Sequence, residues 1–387
     1  AYNADQVAET TQAFTEHFGN YGFAFAHVEA VPEVDRVNNR VAIVIKAEPS
    51  RRAYVRRINI QGNTRTRDEV IRREFRQYES SWYDAEKIRL SRDRVDRLGY
   101  FTELSVSSAE VPGAPDQVDL NVEVKEKPTG SISIGAGYSS AEKLAFTFGL
   151  SQDNVFGSGN KLDLQLNTGK FNRTIVVSAT DPYFTANGVS RTVDVYYRTQ
   201  KPYQDQGGNY TLITMGAGLK FGVPVTELDT VYLGINAERT RIKPGTNIPA
   251  AYLDYANRFG YTSSAFPFTL GWSRDSRDSA LAPNSGRYQR LLGELGLFGD
   301  ARYVKANYQY QQFVPLSKQY TLAFNGEVGW GKGLSGQPLP VIKNFYAGGL
   351  GSVRGYEQST LGPRDVTGAY IGGTRKFVLN TEFITPF

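Results

Sequence analysis

From residue 131 onward, apolar and polar residues alternate along the chain with a period of two. The segment KLDLQL at 161–166 places Leu162, Leu164 and Leu166 on one face, and VYLGINA at 231–237 repeats the pattern. Alternation of this kind predicts strands with one apolar face. Twelve strands are predicted, over residues 131–138, 143–152, 160–168, 173–181, 191–200, 209–220, 229–240, 264–273, 288–297, 302–312, 319–330 and 374–384.

The first 127 residues follow a different pattern, in which helical periods stand between strands. The run Thr66-Arg67-Asp68-Glu69 predicts a capping box before one helix. Asp84 predicts the start of a second helix, which ends at Gly99. The predicted order is strand, helix, helix, strand, strand. The three strands are predicted over residues 54–61, 101–109 and 117–125.

Part of a second copy precedes this module. YGFAFAHVEAV at 21–31 parallels LGYFTELSVSS at 98–108, and Gly22 and Gly99 are 77 positions apart. A fixed period predicts a serial array of like modules. We therefore expect a partial module over residues 1–50 and a complete one over residues 51–128. The first copy lacks an opening strand, so we expect the chain to begin inside a module.

The alternating apolar faces leave two architectures open. In a soluble β-sandwich the apolar face packs on a second sheet, whereas in a membrane β-barrel it meets lipid. The chain contains 24 Tyr and 22 Phe, and aromatic residues lie near predicted strand ends, such as Tyr138, Tyr183, Trp272 and Trp330. Aromatic girdles occupy those positions in membrane barrels. The sequence therefore predicts a mainly β protein, with an antiparallel transmembrane β-barrel over residues 129–387 behind two small α+β modules.

Composition argues against several other classes of protein. No window approaches 18 consecutive apolar residues, so no transmembrane helix is predicted. Without cysteine and with only two histidines, thiol chemistry and a zinc site are not expected. Asp275 and Asp278 are favoured as polar turn residues over metal or acid–base groups. No catalytic constellation stands out, and we predict no enzyme activity, no metal site and no cofactor.

The net charge is concentrated in one segment. Residues 51–100 hold 14 Lys and Arg against eight Asp and Glu, whereas the whole chain carries a net charge of +5. Such a surface can attract nucleic acid or anionic head groups. No phosphate-binding loop or stacking motif accompanies the charge, so a solvated helical surface is favoured and no nucleic-acid partner is predicted.

A glycine-rich segment, GGLGSVRGYEQSTLGP at 348–363, carries a lone arginine, Arg354. Glycine at this density stops regular strands. The segment lies in a long connection, residues 331–373, hereafter the lid loop. The other long connection, residues 241–263, is predicted on the same side of the barrel, away from the modules. Since a large barrel leaves a polar lumen, such a loop can fold inward and bring Arg354 to a carboxylate on the inner wall.

The last predicted strand offers that carboxylate. In RKFVLNTEF, Phe377, Leu379 and Phe383 share one parity and are expected to face lipid. Glu382 has the opposite parity, together with Val378 and Asn380, and is expected to face the lumen.

The chain also resembles a known family along its whole length. RRINIQGNTRTRDEVIRREFR resembles the opening of the last POTRA module in the BamA family of outer-membrane assembly factors. VPGAPDQVDLNVEVKEKPTGSISIGAGYS resembles that family's junction into the first barrel strand, and DNVFGSGN, DPYF and LNTEFITPF resemble its barrel segments. The V-R-G-Y motif alone marks the wider POTRA-plus-barrel superfamily, which includes two-partner secretion exporters and the TamA assembly factor.

The resemblance implies a function and a set of site residues. It implies folding and insertion of outer-membrane proteins by edge-strand templating at a lateral gate, without enzyme activity or cofactor. The alternative is a protein-secreting pore of the two-partner secretion or TamA type. In the family, the loop arginine pairs with the position of Glu382. The lid-loop motif corresponds to Val353, Arg354, Gly355 and Tyr356. The lateral-gate first strand corresponds to Ser131, Ile132, Ser133, Ile134, Gly135, Ala136 and Gly137.

The resemblance also implies partners and a location. The expected partners are the outer-membrane lipid bilayer, unfolded outer-membrane protein clients and accessory assembly lipoproteins. The expected location is the bacterial outer membrane, with the POTRA modules in the periplasm. Because the family's barrel has sixteen strands, the twelve predicted here suggest a chain shortened at both ends.

Overall fold

The computed structural model describes residues 3–35, 40–139, 143–202, 208–279, 283–317 and 319–385. The chain forms two compact units. The first comprises Ala1–Gly130 together with Asp153–Gly159, and the second comprises Ser131–Gln152 together with Asn160–Phe387. None of the described helices is long and apolar enough to cross a membrane.

The first unit contains the predicted succession of helices and strands. The helix and the two-stranded sheet of the partial module are followed by the strand, helix, helix, strand, strand order of the complete one. Its elements are α1 (Ala4–Gly19), β1 (His27–Asp35), β2 (Arg40–Glu48), β3 (Tyr54–Gln61), α2 (Asp68–Arg72), α3 (Ala85–Arg97), β4 (Phe101–Val111) and β5 (Ala114–Glu126).

The complete module is held together by one apolar core. Its sheet has the order β3-β5-β4, with β3 parallel and β4 antiparallel to β5. The alternating residues Val118, Leu120 and Val122 of β5 are fully buried, as are Val70 of α2 and Val95 of α3. The period of two in the strand and the helical period in α2 and α3 thus direct their apolar side chains to the same space.

The two helix starts of this module differ from each other. Asp84 caps α3 as predicted, and its carboxylate accepts from the backbone N–H of Lys87 at 3.1 Å. The predicted capping box at α2 is wrong, because the helix begins after Arg67 and no side chain caps it. The hydroxyl of Thr66 instead accepts a hydrogen bond from Asn154 Nδ2 at 2.9 Å.

That asparagine belongs to a short segment, Asp153–Gly159, that packs within the first unit. Besides binding Thr66, Asn154 accepts from the N–H of Gly159 at 2.7 Å, and the carbonyl of Gly157 accepts from the N–H of Arg67 at 3.0 Å. Asn154 is buried, so these bonds satisfy polar groups that water does not reach. The segment includes a 3₁₀ turn at Val155–Gly157.

The second unit is built on one twelve-stranded antiparallel sheet, in which each strand pairs with its neighbours in sequence. All twelve predicted strands are present. They are β6 (Gly130–Ser139), β7 (Lys143–Gln152), β8 (Lys161–Thr168), β9 (Asn172–Asp181), β10 (Ser190–Gln200), β11 (Tyr210–Pro224), β12 (Asp229–Pro244), β13 (Thr262–Asp275), β14 (Gly286–Gly299), β15 (Tyr303–Pro315), β16 (Thr321–Gly333) and β17 (Arg375–Ile384). In the described ranges, β6 and β17 form the two ends of the sheet and do not pair with each other.

One face of this sheet is a wide apolar surface. Large exposed side chains recur at every second position, for example Leu162 on β8, Val177 on β9 and Leu270 on β13. Exposed apolar residues at alternate positions of successive strands are the pattern of a lipid-facing barrel wall. The opposite face, called the inner face here, carries polar and charged residues and the lid loop.

The two long connections pack on each other. The one after β12 forms a helix, α4 (Ala250–Phe259), where the sequence pattern predicted only a loop. Its Tyr252 and Tyr255 enter a buried cluster with Val341 of the lid loop. Tyr252 OH lies 3.1 Å from Tyr346 OH, and Asp365 accepts from the N–H of Ala251 at 3.4 Å. Apolar burial and polar contacts therefore join the lid loop to the helix.

Candidate functional site

The tip of the lid loop, residues 349–362, is a series of tight turns. The N–H of Gly349 donates to the carbonyl of Tyr356 at 3.0 Å, and the N–H of Ser352 donates to the carbonyl of Gly349 at 3.0 Å. Gly348 has a φ of +108°, and a Cβ there would lie 2.4 Å from the carbonyl oxygen of Glu357. Only glycine fits such a position, so the glycine content of this segment has a direct structural cause.

Strand β17 presents its polar residues to this tip. Arg354 Nη2 lies 3.0 Å from Glu382 Oε1. Two residues earlier on the same face, Asn380 Nδ2 donates to the carbonyl of Ser352 at 2.8 Å. Phe377 and Leu379, of the opposite parity, are exposed on the other face. The structure thus brings together the loop arginine and the inward-facing carboxylate that the family resemblance implies as its partner.

The Arg354–Glu382 pair is open to solvent. The side chains are 71% and 46% exposed. Ion pairs with this exposure contribute at most about 1 kcal/mol, because water and salt screen the charges. Of the other motif residues, Val353 is half-buried and Tyr356 is exposed. The contact can therefore form and break at small cost in free energy.

The predicted gate residues, 131–137, all lie on β6 at one end of the sheet. Ile134 is 81% exposed, and Ile132 and Tyr138 are also exposed on the same face. Among the described residues, no atom lies within 4 Å of a Cβ position at Gly137, whereas a Cβ at Gly135 would lie 2.6 Å from Thr147 Oγ1. Glycine adds no side-chain packing to a strand, so β6 lacks such packing at these two positions.

A second contact between the lid loop and the inner face was not predicted. Lys343 Nζ lies 2.6 Å from Glu294 Oε1 on β14 and 3.2 Å from Glu238 Oε2 on β12. These carboxylates precede the lysine by 49 and 105 positions, respectively. The alternation along β12 and β14 indicates that Glu238 and Glu294 face inward. It gives no indication that their partner is Lys343.

The aspartates of SRDSRDS shape a turn. Asp275 pairs with Arg277 at 2.7 Å, and Asp278 accepts from the N–H groups of Asn284 and Ser285 at 3.0 and 3.2 Å. Across the part of the chain that the structure describes, no group of three or more acidic or histidine side chains is arranged to hold a metal ion.

Comparison with known proteins identifies the family. Residues 154–387 match the model of the Omp85 superfamily domain. The chain belongs to the Omp85 superfamily. Residues 53–127 match a POTRA model described as a surface antigen variable number repeat. This Omp85 chain is therefore a transmembrane β-barrel protein with POTRA modules, as predicted.

Three relatives show how specific the match is. Outer membrane protein assembly factor BamA of Neisseria meningitidis serogroup B is 38% identical over the whole of this chain and 50% of its own length. The crystal structure of BamA from Haemophilus ducreyi lacking POTRA domains 1–3 superposes with a TM-score of 0.78 at 27% identity, covering all of this chain and 77% of that one. CdiB from Acinetobacter baumannii, with a TM-score of 0.56 and 13% identity over all of this chain and 69% of its own, shares the fold.

The Omp85 chain spans about half the length of the curated relatives it matches. Those relatives are named as assembly factors rather than as enzymes.

Proposed function

We propose that this chain is the barrel-and-POTRA part of the central component of the outer-membrane β-barrel assembly machinery. It resides in the bacterial outer membrane with its POTRA modules in the periplasm. Its partners are the lipid bilayer and unfolded outer-membrane proteins, and accessory assembly lipoproteins complete the complex. The protein acts without enzymatic chemistry or cofactor, because strand pairing supplies the free energy of the templating step.

The observation that carries this proposal is the position of β6. It lies at one end of the sheet, where its outer edge offers backbone N–H and C=O groups for pairing. An incoming strand can add to such an edge by main-chain hydrogen bonds, which depend little on the sequence of the client. Weak side-chain packing along β6 makes the edge easy to expose. Residues 131–137 are proposed as the lateral gate on this basis.

The domain boundaries follow the same reasoning. We assign residues 1–50 to a partial POTRA module, 51–128 to the POTRA module before the barrel and 129–387 to the barrel, with 331–373 as its lid loop. The family matches at 53–127 and 154–387 support these assignments. Relatives named as assembly factors favour this function over the alternative of a protein-secreting pore.

Site-specific crosslinking tests the proposal. This chain contains no cysteine, so one engineered cysteine reports a single position once any cysteine elsewhere in the full-length protein is replaced by serine. In the full-length protein, Ser133→Cys on β6 should form a disulfide with a cysteine in the terminal strand of a client barrel protein during assembly. The matched variant Ser178→Cys lies on β9, which is paired on both sides, and should not.

Equal crosslinking at both positions, or none at Ser133→Cys, would contradict the templating role. Depletion of the protein should also reduce many barrel proteins in the outer membrane together. Loss of one dedicated secreted protein, with the others unchanged, would favour the secretion pore.

A further inference from the structure

The lid loop is attached to the inner face at a second, more buried place. Lys343 ends a 3₁₀ turn, Val341–Lys343, at the base of the loop. Its side chain is 17% exposed, and those of Glu238 and Glu294 are 20% and 21% exposed. One ammonium group thus bridges two carboxylates from different strands in a place that water reaches poorly.

Neighbouring side chains complete the hydrogen bonding of this cluster. Tyr196 OH donates to Glu238 Oε1 at 2.7 Å, and Tyr303 OH donates to Glu294. Lys305 Nζ donates to the backbone carbonyl of Lys343 at 2.8 Å. Four strands, β10, β12, β14 and β15, therefore converge on one residue of the loop. Since each carboxylate accepts from both a tyrosine and Lys343, loss of the lysine leaves two poorly hydrated charges without their cation.

Apolar packing supports the same part of the loop. Phe345 is buried, and its ring lies where a side chain at Gly329 of β16 would otherwise sit, since a Cβ there would lie 2.6 Å from the ring. The ammonium of Lys305 lies 4.2 Å from the centre of that ring. The base of the loop is thus fixed by charge, packing and a cation–π contact.

The two attachments differ in the strength expected of them. Removing one member of a buried, hydrogen-bonded ion pair is strongly destabilising, whereas an exposed pair contributes little. Lys343 belongs to the first class and Arg354, with a 71% exposed side chain, to the second.

We propose that Lys343 is the positioning residue that holds the base of the lid loop to the inner face, so that the loop opens at its Arg354 tip while its base stays attached. The inference deepens the proposed assembly function, because it assigns separate roles to the base and the tip of the loop. It requires no client for its structural test.

Hydrogen exchange in the full-length protein provides that test. Lys343→Met should accelerate amide exchange roughly tenfold or more in residues 341–347 and also in the tip, 349–362, because the base supports the tip. Arg354→Ala should accelerate exchange in the tip and leave the base unchanged. Lys332→Met removes an exposed lysine of β16 and is the matched control, with no effect on either segment. The proposal would be overturned if amide exchange in residues 341–347 stayed at its native rate in Lys343→Met. It would also be overturned if Arg354→Ala accelerated exchange in those residues.

A coupling measurement guards against general misfolding. Glu294→Gln alone should also accelerate amide exchange at the base of the loop. In the double variant with Lys343→Met, the loss of protection free energy at the base should be smaller than the sum of the two single losses, because Glu294→Gln removes a carboxylate that Lys343→Met leaves unpaired. Strict additivity would overturn the pairing. Client assembly is measured separately in the same variants. A full-length native protein that assembles no client refutes the proposed function but leaves the exchange result intact.

Discussion

Arg354 Nη2 lies 3.0 Å from Glu382 Oε1, yet both side chains remain largely open to solvent. The pair joins the glycine-rich tip of the lid loop to β17 and is the contact expected from the inward parity of Glu382 together with the family resemblance. Its exposure makes it a reversible contact, in contrast to the buried cluster around Lys343 at the base of the same loop.

A double-mutant cycle measures this exposed contact. Arg354→Ala and Glu382→Ala should each accelerate hydrogen exchange in residues 349–362 of the full-length protein. The coupling free energy should be about 1 kcal/mol or less, and it should fall as salt is raised, because exposed charges are screened. A coupling of several kcal/mol, or one insensitive to salt, would contradict the exposed geometry.

The lipid-facing assignment of the alternating leucines is tested on β8. Leu164→Arg should destabilise the folded protein in bilayers, lowering its free energy of unfolding by roughly 2–4 kcal/mol if the residue lies near the midplane. Gln165→Arg, one position along and on the inner face, should cost far less because the lumen is polar. Equal costs for the two substitutions would contradict the assignment of faces.

The pH dependence of the complete POTRA module should involve Glu126. Burial by itself raises the pKa of this carboxyl, but hydrogen bonds from Thr66, Arg65 and Thr64 outweigh it, so the pKa lies below its usual value. A lowered pKa in the folded state stabilises the module above the unfolded-state pKa. That contribution is lost as the pH falls through the folded-state pKa.

Urea unfolding with and without Glu126→Gln checks this expectation, in a protein that also carries Trp272→Phe and Trp330→Phe so that Trp82 reports on the POTRA module. The variant should have a lower free energy of unfolding near neutral pH. Its free energy of unfolding should also change less than that of the native protein as the pH is lowered. Glu103→Gln is the control, since that carboxylate forms an exposed pair with Lys125. The same acid dependence in the native protein and Glu126→Gln would rule out this carboxylate as its source.

The packing of Asp153–Gly159 in the first unit should depend on Gly157. This residue has a φ of +71°, and a Cβ would lie 2.0 Å from the carbonyl oxygen of Arg65. Gly157→Ala therefore combines backbone strain with a clash and should expose the amide of Arg67 to hydrogen exchange. Gly113→Ala has a similar φ of +81° with open space around it, and should cost only about 1 kcal/mol of strain. If Gly157→Ala and Gly113→Ala destabilised the protein equally, the clash between residue 157 and the carbonyl of Arg65 would have to be relieved by a local shift.

The weakness of β6 can be corrected without a clash. Gly137→Val enters open space and raises the strand propensity of the first barrel strand, so the fold should be kept while client assembly by the full-length protein slows. Ala217→Val makes a similar change on β11, which is paired on both sides, and should leave the assembly rate unchanged. If Gly137→Val left the rate of client assembly unchanged, the weak packing of β6 would have no role in assembly.

The sequence by itself determined the strands, their faces and the order of elements in the complete module. Period-two alternation is a local property, because successive side chains of a strand point to opposite sides whatever surrounds it. The same rule placed Glu382 on the inner face and Phe377 on the other. The helix cap at Asp84 was predictable for a similar reason, since its partner lies three residues away.

The tertiary structure alone decided which distant residues meet. Thr66 was expected to cap its own helix, but its hydroxyl is used by Asn154, 88 positions away. Lys343 pairs with Glu238 and Glu294, which lie on strands far earlier in the sequence. Helix α4 forms where apolar residues of the lid loop cover it. Periodicity along the chain fixes the side to which a residue points, whereas the partner it meets there depends on how strands and loops are brought together by pairing and burial over the whole sheet.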